Sequence, residues 1–183
     1  MSLQNSITTA NYIDFDKALN KGKALLETKD KNFGFYIIVA IHSGLRIGDI
    51  LRLTSEDFSR GYAEFREQKT NKSKRVPLDH KEIVSAYEKI KSTKSEVFIS
   101  QKGTTFSSQQ INRKLKQAFK SKDKNISSHS LRKTFGRRAY EMNGESEKAL
   151  IQLSQIYNHS SIGITRTYLD ITQEEIEDIY LSI

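Results

Sequence analysis

His129-Ser130-Leu131-Arg132 places an imidazole and a guanidinium three residues apart. On a helix that spacing turns both side chains to one side, where they can address a common target. Ser127 and Ser128 just ahead are helix-capping types, and the unpaired N–H groups of a helix start favour a phosphate. Further on, Tyr157-Asn158-His159-Ser160-Ser161 closes a later helix, and Tyr168 follows nine residues after His159. Ser160, Ser161, Thr165 and Thr167 make this stretch rich in hydroxyls, as segments beside a DNA backbone are and as ordinary loops also are. Earlier, Ser43-Gly44-Leu45-Arg46 joins two helical segments, and Arg46 sits where the chain turns, able to aim a guanidinium into a cleft. Asp49, three residues on, can hold that guanidinium by a charge-assisted hydrogen bond. Lys69 stands in the polar run Glu67-Gln68-Lys69-Thr70-Asn71-Lys72. Taken singly, each of these is an ordinary residue: a solvated arginine, a helix salt bridge, a turn lysine, one of eight tyrosines.

The elements that must position them follow from periodicity. Residues 14–27 fit a first helix, and the nearly all-apolar stretch 32–43 reads as a buried one. Gly44 breaks it, and Ile47, Ile50 and Leu51 then share one face of a short helix. Tyr62, Glu64 and Arg66 alternate with Ala63, Phe65 and Glu67, as in a half-exposed strand. Asn71 to Lys74 is a polar turn, and Arg75-Val76-Pro77-Leu78 is the returning strand, with Pro77 at an edge or an end. A further short strand is expected at Val97-Phe98-Ile99. The remainder reads as helices around Ile83 to Ile90, Ile111 to Phe119, Leu131 to Ala139 and Leu150 to Tyr157. Thr172-Gln173-Glu174-Glu175 is a capping-box sequence that opens a last helix, about 172–181. The fold class is mainly α with a small antiparallel β-sheet, an α+β arrangement.

The ordered set resembles the tyrosine recombinase (phage integrase) family. Gly-Leu-Arg, a hairpin lysine, His-x-x-Arg, His-Ser-Ser and a tyrosine nine residues beyond agree with that family in order and spacing, over roughly residues 30 to 170. The resemblance implies the catalytic-domain fold of that family and an enzyme that cuts and rejoins DNA strands through a 3′-phosphotyrosine. Tyr168 would be the nucleophile. Arg46 and Arg132 would grip the non-bridging oxygens, where bidentate geometry matters. Lys69 would be the general acid for the departing 5′-oxygen, with Lys72 and Lys74 in the same turn as alternatives. His129 would assist proton transfer, His159 would donate a hydrogen bond, and Asp49 matches an acidic supporting position. Two departures stand out. Asn158 replaces the usual glycine before the second histidine, and the stretch from Arg132 to His159 is slightly long, with Asn143 to Glu147 as the expected extra loop.

Composition sets the outer bounds. The 183 residues suffice for one domain, here expected to be a single catalytic domain over 1–183, with the family's N-terminal DNA-clamping domain absent from this chain. Thirty Lys and Arg against twenty-two Asp and Glu leave a net charge of +8, which suits a polyanionic partner. Duplex DNA is the expected partner, with a homotetramer on paired sites and a monomer alone. There is no cysteine, so disulfides and thiol chemistry are excluded. No metal-ligand set and no Gly-rich phosphate loop is evident, so no cofactor and no metal is expected. No apolar run approaches the ~20 residues that span a bilayer, and a cytoplasmic location is expected. Two rivals share the scaffold: a type IB topoisomerase and a non-catalytic DNA-binding module.

Overall fold

The computed structural model describes residues 9–66, 73–90, 95–120, 124–171 and 180–182. The expected hairpin tip, with Lys69 and Lys72, lies outside the described residues, as does most of the expected C-terminal helix. Among the described residues the order is α1 (Phe15–Leu26), α2 (Lys31–Ser43), α3 (Ile47–Ile50), α4 (Ser55–Arg60), β1 (Tyr62–Arg66) and β2 (Ser73–Pro77). There follow α5 (Lys81–Ile90), α6 (Ser108–Ala118), α7 (Ser128–Met142), α8 (Glu147–Tyr157) and α9 (Ile162–Tyr168). The strands pair antiparallel in one register, from Tyr62 opposite Pro77 to Arg66 opposite Ser73. Pro77 ends its strand, where a missing N–H interrupts no further pairing.

Helix α2 is the axis of the larger core. Every residue from Phe33 to Ile41 is buried, because α1, α5 and α7 pack around it. Each such aliphatic or aromatic side chain contributes about 1.5–3 kcal/mol on burial. Phe35, Phe58, Tyr87 and Phe98 form an aromatic cluster beside it. Gly44 ends α2 at φ +61°, and a Cβ there would meet the Phe135 ring at 2.3 Å. A second, smaller core gathers Tyr140, Ala149, Leu150, Leu153, Tyr157, Tyr168, Leu169 and Ile171. Helix α7 runs between the two, contributing Leu131 to the first and Tyr140 to the second.

One expected element needs correction. Val97 to Ile99 is not a strand: only isolated bridges form, Thr54 with Glu96 and Ile99 with Thr105. Val97 and Phe98 are buried among core aromatics, and a short buried apolar run has the same pattern whether or not it pairs as a strand. The hydroxyl-rich stretch before Tyr168 is a helix, α9, whose Ser161 side chain accepts from the Ile164 N–H. The expected loop at Asn143 to Glu147 is present as a tight turn, with Gly144 and Glu145 both at positive φ. Ser146 then caps α8.

Gly136 marks the closest approach of α7 to the second core. A Cβ there would stand 2.3 Å from the Tyr157 hydroxyl and 2.6 Å from Leu169. That hydroxyl donates to the Arg132 carbonyl at 2.7 Å. Gly136→Ala is therefore expected to force α7 and α8 apart and to destabilise the fold by about 1–3 kcal/mol, the usual range for an overfilled core. Urea unfolding checks this; a midpoint equal to that of the unaltered chain would refute the packing described.

Candidate active site

The C-terminus of α8 is the focus of the site. Asn158 lies in the left-handed region at φ +56°, its N–H donating to the Gln155 carbonyl, and the His159 N–H reaches back to the Ser154 carbonyl at 2.9 Å. This is a Schellman closure, which requires a residue tolerant of positive φ. Asparagine is such a residue, so the departure from glycine at position 158 leaves the turn intact. The closure occupies Ser154 and Gln155 and leaves the Ile156 and Tyr157 carbonyls at the negative end of the helix.

Three cations from separate elements settle on those two carbonyls. Arg46, the N-cap of α3, donates from Nη2 to the Tyr157 oxygen at 3.2 Å. Arg132, on α7, donates from Nη2 to the same oxygen at 3.4 Å and from Nη1 to the Gly44 carbonyl. Its guanidinium also lies 4.4 Å from the Tyr157 ring centroid. Lys74, on β2, donates to the Ile156 carbonyl at 2.5 Å. Arg46 is exposed and Arg132 buried. Burial pulls the Arg132 guanidinium below its ordinary range, while Tyr157 and Tyr168 act in the opposite sense.

The two histidines flank this cluster. His129, in the first turn of α7, lines a cleft with Arg46, Asp49, Ser128 and Arg132. The cleft measures about 240 Å³. Partial withdrawal from water, then Arg132, Arg46 and Lys133, hold His129 below the ordinary imidazole range. His159 is half-buried and is lowered by the same kinds of cause, burial first and then the two arginines. Both shifts favour the neutral ring. His159 Nδ1 lies 3.0 Å from the hydroxyl of buried Thr165. If Thr165 is the donor, the second ring nitrogen keeps its proton and can donate.

Tyr168 closes the group from the end of α9. Its ring packs edge-on against Tyr157 and His159, each 5.3 Å away between centroids. The residue is 9% exposed, and its phenol oxygen is buried without a well-formed hydrogen bond. Burial pushes its pKa up to about 12, against the opposing pull of Arg132 and Arg46. Tyr168 thus reaches the arginine cluster from within its own subunit.

Sequence order alone brought Arg46, His129, Arg132, His159 and Tyr168 into consideration, and the fold gathers all five. Asp49 lines the cleft, but its carboxylate pairs with Arg52 at 2.6 Å and not with Arg46. Lys69 lies outside the described residues, so the hairpin's described contribution is Lys74. Sequence reading missed Lys133 and Asp170, which pair behind Tyr168 at 2.9 Å. Among the described residues no group of His, Asp or Glu side chains could hold a metal ion. Nor is any helix among them long and apolar enough to cross a membrane.

A mainly helical domain that clusters two arginines, two histidines and a tyrosine at one helix end has the architecture of a tyrosine recombinase catalytic domain. The Phage integrase family model matches residues 7–175, and the chain belongs to that family. It is 31% identical over 163 residues to the probable integrase/recombinase YoeC of Bacillus subtilis (strain 168), with 86% of this chain and 88% of the relative covered. Its fold is similar to that of XerA recombinase, with TM-score 0.69 and 20% identity over 96% of this chain and 65% of that one. It is also similar to XerH site-specific recombinase bound to its difH substrate, with TM-score 0.64 and 19% identity over 97% of this chain and 55% of that one.

The Tyr168 environment makes an alkaline signature. Because burial favours the neutral phenol, its stabilising effect is complete below the unfolded pKa of ~10 and is lost as pH rises through about 12. Subtracting a Tyr168→Phe titration from that of the unaltered chain removes the other tyrosines, among them buried Tyr36 and Tyr157, whose phenols burial also pushes up. Ultraviolet absorbance should then show one phenol ionising near 12, and a difference curve centred near ~10 would contradict the buried placement.

Proposed function

We propose that this chain cleaves and rejoins duplex DNA through a 3′-phosphotyrosine at Tyr168, as a site-specific recombinase. The convergence of Arg46 and Arg132 on one carbonyl oxygen, with Tyr168 packed beside them, is the observation that carries this reading. Two guanidiniums that share an acceptor are already aimed at a common point, and a phosphate brings several oxygens to that point. Phosphoryl transfer depends mainly on such positioning and charge neutralisation.

In this reading the Tyr168 oxygen attacks the scissile phosphorus as the bond to the 5′-oxygen breaks. Arg46 and Arg132 bind the non-bridging oxygens and stabilise the charge that builds there. His159 donates a further hydrogen bond, its tautomer set by Thr165. Lys69 protonates the leaving 5′-oxygen, with Lys72 as the alternative donor on the same turn. Lys74 holds the base of that turn against α8. His129, biased toward the neutral ring, can accept the phenol proton or pass one on. Asp49 keeps Arg52 in place at the rim of the cleft and shapes the site without holding Arg46. No step requires a metal ion or ATP. The duplex is both substrate and partner, and a tetramer of this chain would hold two sites together for strand exchange.

A pool of nicked random-sequence suicide duplexes tests the assignment by covalent trapping. Tyr168→Phe should abolish the adduct; an adduct that persists removes Tyr168 from its role. Arg46→Ala should reduce trapping by about 100–1,000-fold, the effect of losing one donor to a developing oxyanion. Its melting temperature should be unchanged, since Arg46 is exposed. Trapping at the unaltered rate would place the phosphate elsewhere.

A further inference from the structure

Lys133 follows Arg132 on α7 and is 2% exposed, although no chemistry described so far uses it. An ammonium withdrawn from water to this degree persists only when it is paired. Its partner is Asp170, two residues beyond Tyr168, whose carboxylate accepts through both oxygens at 2.9 and 3.1 Å. The Lys133 nitrogen also lies 5.5 Å from the centroid of the Tyr168 ring. Asp170 takes the left-handed conformation at φ +57°, a sharp turn just past α9. One helical turn along α7, Arg137 donates to the Leu169 and Asp170 carbonyls at 3.2 and 3.4 Å. Leu169 and Ile171 are buried on either side of Asp170.

We propose that the Lys133–Asp170 pair is a latch that positions the Tyr168 ring, with Arg137 bracing the backbone behind it. The inference rests on Tyr168 being the nucleophile. Its logic is mechanical. Arg132 and Lys133 are consecutive residues on one rigid helix. The first faces the arginine cluster, and the second fixes the chain two residues after the phenol. Phosphate-binding group and nucleophile are thereby referred to a single helix, so a shift of one is a shift of the other. Asp170 holds α9 by a side chain that is 46% exposed, so the latch is anchored in the core on the lysine side and accessible on the carboxylate side. Lys133 and Asp170 are positioning residues; neither touches the reacting atoms.

The experiment uses the full chain and two readouts, the Tyr168 difference titration and the single-turnover rate of covalent trapping on nicked duplexes. In Asp170→Asn the phenol should ionise closer to ~10 and trapping should slow by about 100-fold, as expected when a reacting group is displaced by around an ångström. Duplex affinity, read by anisotropy, should remain within about twofold. Asp170→Glu keeps the charge and should restore both readouts. Because the Asp170 carboxylate itself pushes the phenol up, Lys133→Met, which fills the same volume and keeps that carboxylate, is the deciding variant and should give the same two changes. An unmoved titration in the folded variant overturns the latch. A moved titration with trapping at the unaltered rate leaves the latch on the ring in place and removes Tyr168 as nucleophile.

Discussion

Everything in the site depends on two carbonyl groups at the end of α8. A helix end leaves such oxygens without backbone partners, and here they carry partial negative charge into a region that collects cations. Arg46, Arg132 and Lys74 reach them from α3, α7 and β2. Charge-assisted hydrogen bonds of this kind are roughly twice as strong as neutral ones. They do two things together: they satisfy the helix end and they hold three like charges close to each other. Without the carbonyls the mutual repulsion of those cations would spread them apart. Arg132 has the further task of joining the two cores, because Gly44 ends α2 in the first and Tyr157 belongs to the second.

The same arrangement explains why Tyr168 can be buried beside cations and still remain protonated. Arg132 and Arg46 favour the phenolate, but removal from water opposes it more strongly. In the proposed reaction a neutral, buried phenol would not compete with the phosphate for the arginines, whereas a phenolate would pair with them. Burial thus keeps the anion-binding groups available. Burial first, and then the same arginines, hold both imidazoles below their ordinary range, so in the proposed reaction the guanidiniums are the principal charges a phosphate would meet.

How far this could be read from the chain depends on what kind of relation each residue takes part in. Arg46, His129, Arg132, His159 and Tyr168 were legible because their order and spacing form a pattern no single residue carries. Helices α1 to α3 and α5 to α8 were legible because their apolar faces repeat, whereas α4 and α9, at six and seven residues, are too short to show a clear repeat. Asp49 was not, since Arg46 and Arg52 lie three residues to either side and local spacing favours neither; the fold directs Arg46 to Tyr157 and leaves Arg52 to Asp49. Lys133 and Asp170 are 37 residues apart, with no periodicity to connect them. Their pairing is visible only once α9 has folded back on α7. The stretch Val97 to Ile99 shows the opposite error, in which β-branched and aromatic residues suit a strand but Val97 and Phe98 are used as core filling.

The carbonyl-held cluster also bears on how the site can accept a substrate without large rearrangement. Arg46 is exposed and has one acceptor in Tyr157, so it can turn toward a phosphate by exchanging a single hydrogen bond. Arg132 is buried, is fixed by carbonyls on two elements and lies over the Tyr157 ring, so it stays where it is. One arginine therefore serves as a fixed reference and the other as an adjustable arm. Preorganised charge is effective in catalysis because it needs no reorganisation at the moment of reaction, and the fixed arginine meets that condition best. In the proposed reaction Arg46, the N-cap of a short helix that lines the cleft, is the arginine able to adjust to the phosphate.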